Sequence, residues 1–152
     1  MVDNDNVIST LNNLIETCKD GQEGFKSASE GVKHGELKTL FSTYSQQRSQ
    51  FAGDLQNEVL RLGGDPEKTG SAAASLHRGW LDIKSAVTGQ DDASILSECE
   101  RGEDSAVSNY KDALAENLPA DIRSTVERQY QQVQEAHDRI RTLRDSAKGA
   151  GA

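Results

Sequence analysis

Aromatic side chains are scarce in this chain, with three Phe, three Tyr and one Trp among 152 residues. Only 34% of the residues are hydrophobic, too few for a thick layer between a sheet and its helices but enough for helices that each bury one face. Proline occurs twice and no β-branched alternation is sustained, which argues against a sheet. The two cysteines lack CxxC spacing, which excludes a disulfide scaffold and a thiolate zinc site. Cys18 and Cys99 read instead as reduced, buried thiols that pack as small hydrophobes. No apolar run approaches the roughly 18 residues of a membrane span, and the N-terminal MVDNDNVIST lacks the shape of a signal peptide. A soluble, cytoplasmic protein is expected. Positive charge is also in short supply: 17 Lys and Arg stand against 25 Asp and Glu, a net charge of −8. That balance disfavours nucleic acid or an anionic membrane as partner, because both select clustered cations. The mild cluster of Arg139, Arg141 and Arg144 reads as a solvated helix face.

What the chain does have is long helical periodicity. At 152 residues it suits one domain that buries roughly 68–70% of its unfolded surface. The first helix is expected from the capping residues Asp3–Asn6 to about Val32, with Val7, Leu11, Leu14, Ile15, Cys18, Phe25 and Val32 on one face. Gln22 and Ser29 fall inside that stripe. The second runs from Glu36 to Leu62 on Leu37, Leu40, Phe41, Tyr44, Phe51, Leu55, Val59 and Leu62, with Arg48 in mid-stripe, and Gly63-Gly64-Asp65-Pro66 ends it. The third spans Asp92–Asn117 on Leu96, Cys99, Ala106, Val107, Tyr110 and Leu114. After Leu118-Pro119 the last continues to about Ser146 on Ile122, Val126, Val133, Ile140 and Leu143. Residues 65–91 form a spacer with a shorter helix from Ser71 to Val87, carrying Leu76, Trp80, Leu81, Ile83 and Val87. One domain over 1–147 and a disordered tail over 148–152 are expected. Glycine is plentiful, at 13 residues. Gly21, Gly24 and Gly102 fall inside helical patterns, each at a cost of up to about 1 kcal/mol against alanine, and close helix approach is a reason to keep them.

Short turns near 34–36 and 118–119 make two antiparallel hairpins. The spacer is long enough to run the length of the molecule and return the third helix parallel to the second. The expected fold is therefore all-α: a ferritin-like antiparallel four-helix bundle, up-down-down-up, with a short helix in the long crossover between helices two and three. An up-down-up-down bundle with an elaborate loop is the alternative.

Such bundles hold two metal ions when their centre offers a Glu from each of two helices and a Glu-x-x-His from each of the others. The matching positions here are Gln22, Gln47 with Gln50, Glu103, and Gln134 with His137. Only Glu103 and His137 keep the required chemistry. Neutral amides leave two cations under-neutralised, and Arg48 adds a fixed positive charge. A di-metal centre is disfavoured and no cofactor is expected. In its place the pattern predicts a core polar network of Gln22, Gln47, Arg48, Gln50, Glu100, Glu103 and Gln134. Arg48 would pair with Glu100 or Glu103 while the amides meet the remaining donors and acceptors. Any metal that does bind is expected on Glu103, His137 and Glu100.

Other residues carry less. His34, His77 and His137 lie too far apart for a shared metal. Cys18 and Cys99 fall toward opposite ends of antiparallel helices, which forbids a disulfide. No Gly-x-Ser-x-Gly turn or Ser-His-Asp set is legible, and GGDPEKTG lacks the spacing of a phosphate loop. Trp80 reads as packing the crossover onto the bundle, or else as an exposed anchor for a second subunit.

The stretches LNNLIETCKDGQEGFKSASE, LHRGWLDIKSAVTGQDD, ECERGEDSAVSNYKDAL, and LP followed by QEAHDRIRTLRD resemble a bacterial ferritin-like family of uncharacterised four-helix-bundle proteins, catalogued as a domain of unknown function and found mainly in proteobacteria. The resemblance covers nearly the whole chain and implies the fold, in a small cytoplasmic protein. It implies no reaction. The preferred expectation is a non-enzymatic bundle, a homodimer or larger, acting through its surface in a structural or stress-related role. The alternative is an iron- or manganese-binding oxidoreductase or iron-handling protein with a remodelled site at Glu100, Glu103 and His137.

Overall fold

The computed structural model of the chain describes residues 4–66, 80, 83–89 and 91–150. It is all-helical, with no strand among the described residues. Five helices follow one another there: α1 (Asn4–Gly31), α2 (Gly35–Arg61), α3 (Ile83–Gly89), α4 (Asp92–Leu114) and α5 (Ala120–Ala150). The expected spacer helix is described only at Trp80 and from Ile83 onward. Its earlier part, with Leu76, His77 and Leu81, lies outside the described residues, as do residues 151 and 152.

Local signals account for most helix ends. Beyond α2, Gly63 adopts φ +81° and donates its N–H to the Leu60 carbonyl (3.0 Å), while Gly64 N–H reaches the Val59 carbonyl (2.9 Å). This paired turn closes the last carbonyls of a helix and requires the left-handed residue that glycine supplies. Asp91 caps α4 by accepting from Ala93 N–H (3.2 Å) and the Ser94 hydroxyl (2.9 Å). Asp92 reaches the other way, accepting from the backbone N–H groups of Lys33 (2.9 Å) and His34 (3.3 Å), with His34 Nδ1 at 2.6 Å. It fastens the α1–α2 turn to the start of α4. Burial raises the Asp92 pKa, but these hydrogen bonds outweigh it and hold the carboxyl below its ordinary value.

Two ends depart from expectation. α4 stops at Leu114 rather than Asn117, because Arg123 of α5 donates to the carbonyls of Leu114 (3.0 Å) and Glu116 (2.7 Å). A tertiary partner thus satisfies acceptors that another helical turn would have used. α5 runs on to Ala150 instead of ending near Ser146, and Ala147 still packs against the core there.

The four long helices lie side by side. α1 packs along α2 and α4, α5 packs along α4 and more lightly along α2, and α3 sits against α1 and α4. Cross-helix bonds fix the directions. Thr17 meets Asn109 and Cys18 meets Tyr110, whereas Lys33 meets Asp92, so α4 runs opposite to α1. Gln47 meets Gln132 and Arg61 meets Asp121, so α5 runs opposite to α2. With α1 and α2 antiparallel across their short turn, α2 and α4 share one direction and α1 and α5 the other.

The apolar core falls into two clusters. One contains Val7, Leu11, Leu14, Ile15 and Cys18 of α1 with Phe51, Leu55 and Val59 of α2, Tyr110 of α4 and Val126 and Val133 of α5. The other contains Phe25, Ala28 and Val32, Phe41, Leu96 and Cys99, and Ile140. On every long helix the gap between clusters falls at one level: Gly21, Arg48, Glu103 and Ala136. Cys18 and Cys99 lie in different clusters, both buried and free.

Candidate functional site

An arginine between two apolar clusters must find its counter-charge nearby, and Arg48 finds Glu103. Nη1 donates to Oε1 at 2.5 Å and Nη2 to Oε2 at 2.6 Å, a two-pronged pair with Arg48 1% and Glu103 0% exposed. Arg48 Nε donates to Gln47 Oε1 (3.3 Å), and Gln47 Nε2 donates on to Gln132 Oε1 (3.1 Å) of α5. The guanidinium carbon lies 5.3 Å from the centroid of the Phe25 ring, an orientation that adds cation–π attraction. Gly21 makes room for it: a Cβ there would lie 3.3 Å from Arg48 Cγ and 3.4 Å from Nη1. Burial opposes the Arg48 charge, but Glu103 overcomes that effect and raises its pKa above the ordinary value.

A second polar thread crosses the core beside it. Gln129 Nε2 donates to the Phe51 carbonyl (3.4 Å), which turns Gln129 Oε1 toward the Tyr110 hydroxyl that donates to it at 2.7 Å. The single phenolic proton being used, the Cys18 thiol at 3.2 Å is left to donate to Tyr110 Oη. This thread touches α1, α2, α4 and α5. Burial pushes the Cys18 thiol up to about 11, and burial carries Tyr110 well above its ordinary value. A thiol in that state is no nucleophile at neutral pH.

The predicted network is therefore only partly assembled. Arg48, Glu103 and Gln47 come together. Gln22 is half-buried and supplies its backbone carbonyl to Ser45 Oγ (2.9 Å). Gln50 and Gln134 are exposed, which removes both from the core. Gln50 sits two residues past Arg48, some 200° around α2, and lines an open cleft of about 190 Å³ between α2 and α5. Gln134 follows the buried Val133 and so points off the inward face of α5. The buried glutamine of α5 is Gln129, 3% exposed. Its signal was present in the sequence, since Val126, Gln129, Val133, Ala136 and Ile140 continue one three-and-four repeat. Glu100 also leaves the network: it is 8% exposed and forms an ion pair with Arg144 Nη1.

Glu100 instead belongs to a second constellation near the surface. One donor atom each from Glu100, Asp104 and His137 lies within 4.8 Å of the others. His137 Nε2 is 2.5 Å from Asp104 Oδ1, and Nδ1 is 3.1 Å from Asp138 Oδ1. Burial lowers the His137 pKa, but the two carboxylates prevail and hold it above the ordinary imidazole value. The expected metal trio kept two of its members: His137 and Glu100 converge, but Asp104 stands where Glu103 was expected, because Glu103 is committed to Arg48. His137 is level with Asp104. His34 and Asp92 form a separate pair near the start of α4, about 18 Å along that helix from Asp104.

Trp80 stands against the core. Its indole meets Phe25 edge-on, with centroids 5.1 Å apart, and fills the space where Gly24 of α1 and Gly102 of α4 carry no Cβ. Those glycines open a slot for a ring between helices.

No helix among the described residues is long and apolar enough to cross a membrane. No curated protein matches the chain. Residues 6–116, which include Arg48, Glu100, Glu103 and Asp104 but end before Gln129 and His137, match the model of a domain of unknown function, DUF2383, and the chain belongs to that family.

Proposed function

We propose that this protein is a non-enzymatic, ferritin-like four-helix bundle whose centre is braced by an ion pair where metal-binding relatives of that architecture carry two cations. One observation carries the reading: Arg48 and Glu103, both essentially inaccessible to solvent, are joined by two hydrogen bonds at the level between the two apolar clusters. Glu103 is the central acid of α4, and its two oxygens are spent on a guanidinium. A di-metal site there would need that carboxylate free and would face a fixed positive charge. The up-down-down-up course of the long helices supports the ferritin-like assignment. The raised pKa values of Cys18 and Tyr110 support a core without a nucleophile or general base poised near neutrality.

The reading extends to a bacterial, cytoplasmic protein that works through its surface, as a homo-oligomer of two or more copies, in a structural or stress-related role. The acidic balance of the sequence supports a protein partner over nucleic acid or an anionic membrane. Iron and manganese analysis of protein purified without chelator, combined with sedimentation velocity, tests it. Iron and manganese well short of two ions per chain, in an assembly larger than a monomer, is the expected result. Two iron or manganese ions per chain, the content of a di-metal bundle, would overturn the reading.

A further inference from the structure

We propose that Glu100, Asp104 and His137 form a mononuclear site for a divalent transition-metal cation on the α4–α5 face, distinct from the central ion pair. Glu100 and Asp104 stand one helical turn apart and share a face of α4. His137 reaches them from α5. Their donor atoms already lie within 4.8 Å of one another, so small side-chain movements bring all three to the 2.0–2.2 Å bond lengths of imidazole nitrogen and carboxylate oxygen on such an ion. Among the described residues this is the one group of three such donors. The cation would enter between Asp104 Oδ1 and His137 Nε2, now 2.5 Å apart.

The surroundings fit a ligand site better than an incidental surface pair. Asp138 Oδ1, 3.1 Å from His137 Nδ1, accepts a hydrogen bond from the N–H at that nitrogen and leaves Nε2 as the coordinating atom, the arrangement that orients metal-bound histidines. Glu100 is buried and anchored by Arg144, which also pairs with Asp145 at 2.9 Å. Asp104 is exposed and His137 half-buried, so one side of the trio is open to water, which completes the coordination shell and gives an entry path. Glu100 and Asp104, with Asp138 behind His137 and Asp145 facing Arg144, keep an excess of negative charge for a divalent cation even with the Arg144 guanidinium counted. One nitrogen among oxygen donors selects zinc, cobalt, iron or manganese over calcium and magnesium, and zinc binds such a set more tightly than manganese.

Calorimetric titration of the chelator-treated, full-length chain with zinc chloride tests this. The expected result is one saturable zinc ion per chain. His137→Ala and Asp104→Asn should each weaken it more than tenfold, and Asp138→Asn by about tenfold, as loss of a group behind the ligand does. His34→Ala, which removes a histidine paired with one carboxylate alone, should leave binding unchanged. Asp104 is exposed, so its variant separates loss of a ligand from loss of the fold, with circular dichroism confirming helix in each. Zinc binding that is undiminished in both His137→Ala and Asp104→Asn, or no saturable binding at one ion per chain, would overturn the proposal.

Discussion

A guanidinium in a dry helical core is tolerated only when its charge and its donors are met, and Arg48 meets both conditions through Glu103, Gln47 and the face of Phe25. Removing one member leaves the other buried and alone. Arg48→Ala is therefore expected to cost about 3–5 kcal/mol of unfolding free energy, measured from the urea midpoint and slope. Lysine offers no planar fork for two carboxylate oxygens, so Arg48→Lys should recover only a small part. A loss below about 1 kcal/mol, the worth of a solvent-exposed pair, would contradict a buried pair. This much was legible in the sequence, because an arginine in mid-stripe has few ways to be satisfied and an acid on a facing stripe is the simplest. The glutamines were not equally legible. Matching them to metal-ligand spacing favoured Gln50 and Gln134, whereas helical phase favoured Gln129. The geometry follows phase, since the direction of a side chain is set by 100° per residue and not by the motif it resembles.

The helices themselves show why the glycines are retained. Alanine at Gly102 would gain up to about 1 kcal/mol of helix propensity, yet its Cβ would enter the indole of Trp80. Overpacking of this kind costs about 1–3 kcal/mol, so the clash wins and Gly102→Ala should destabilise. With the ring gone the balance reverses: in a Trp80→Ala background the same substitution should stabilise by up to about 1 kcal/mol. Four urea melts close the cycle, and a substitution with the same sign in both backgrounds would dissociate Gly102 from Trp80. The sequence hinted at close approach around these glycines but could not name the neighbour, which comes from the crossover far along the chain. The end of α4 escaped for a similar reason. The residue that caps it, Arg123, belongs to the next helix, and a reading of propensity along one segment does not see a partner across the turn. An end written in local chemistry, such as Gly63 after α2, was legible.

Across the whole molecule the two polar links hold elements that the chain itself leaves unjoined. α1 and α2 are tied by a short turn and α4 and α5 by another, but α2 and α4 do not pack along one another. The Arg48–Glu103 pair links those two helices. About 10 Å along α4, the thread of Cys18, Tyr110, Gln129 and the Phe51 carbonyl meets all four long helices. Apolar stripes alone specify which faces meet more firmly than how far one helix slides past another, whereas two hydrogen bonds between fixed groups admit one axial position. If register is the role of the pair, stability and uniqueness should separate when it is replaced by apolar groups. A double variant, Arg48→Met with Glu103→Leu, removes both charges together and is expected to match the natural protein in stability or exceed it by about 1–4 kcal/mol. Its far-UV circular dichroism should be unchanged, while amide resonances broaden and an apolar dye binds, the signs of a helical core whose packing fluctuates. Sharp, dispersed resonances and no dye binding in that variant would show that the apolar stripes fix the register unaided, and would leave the buried charges without a structural purpose.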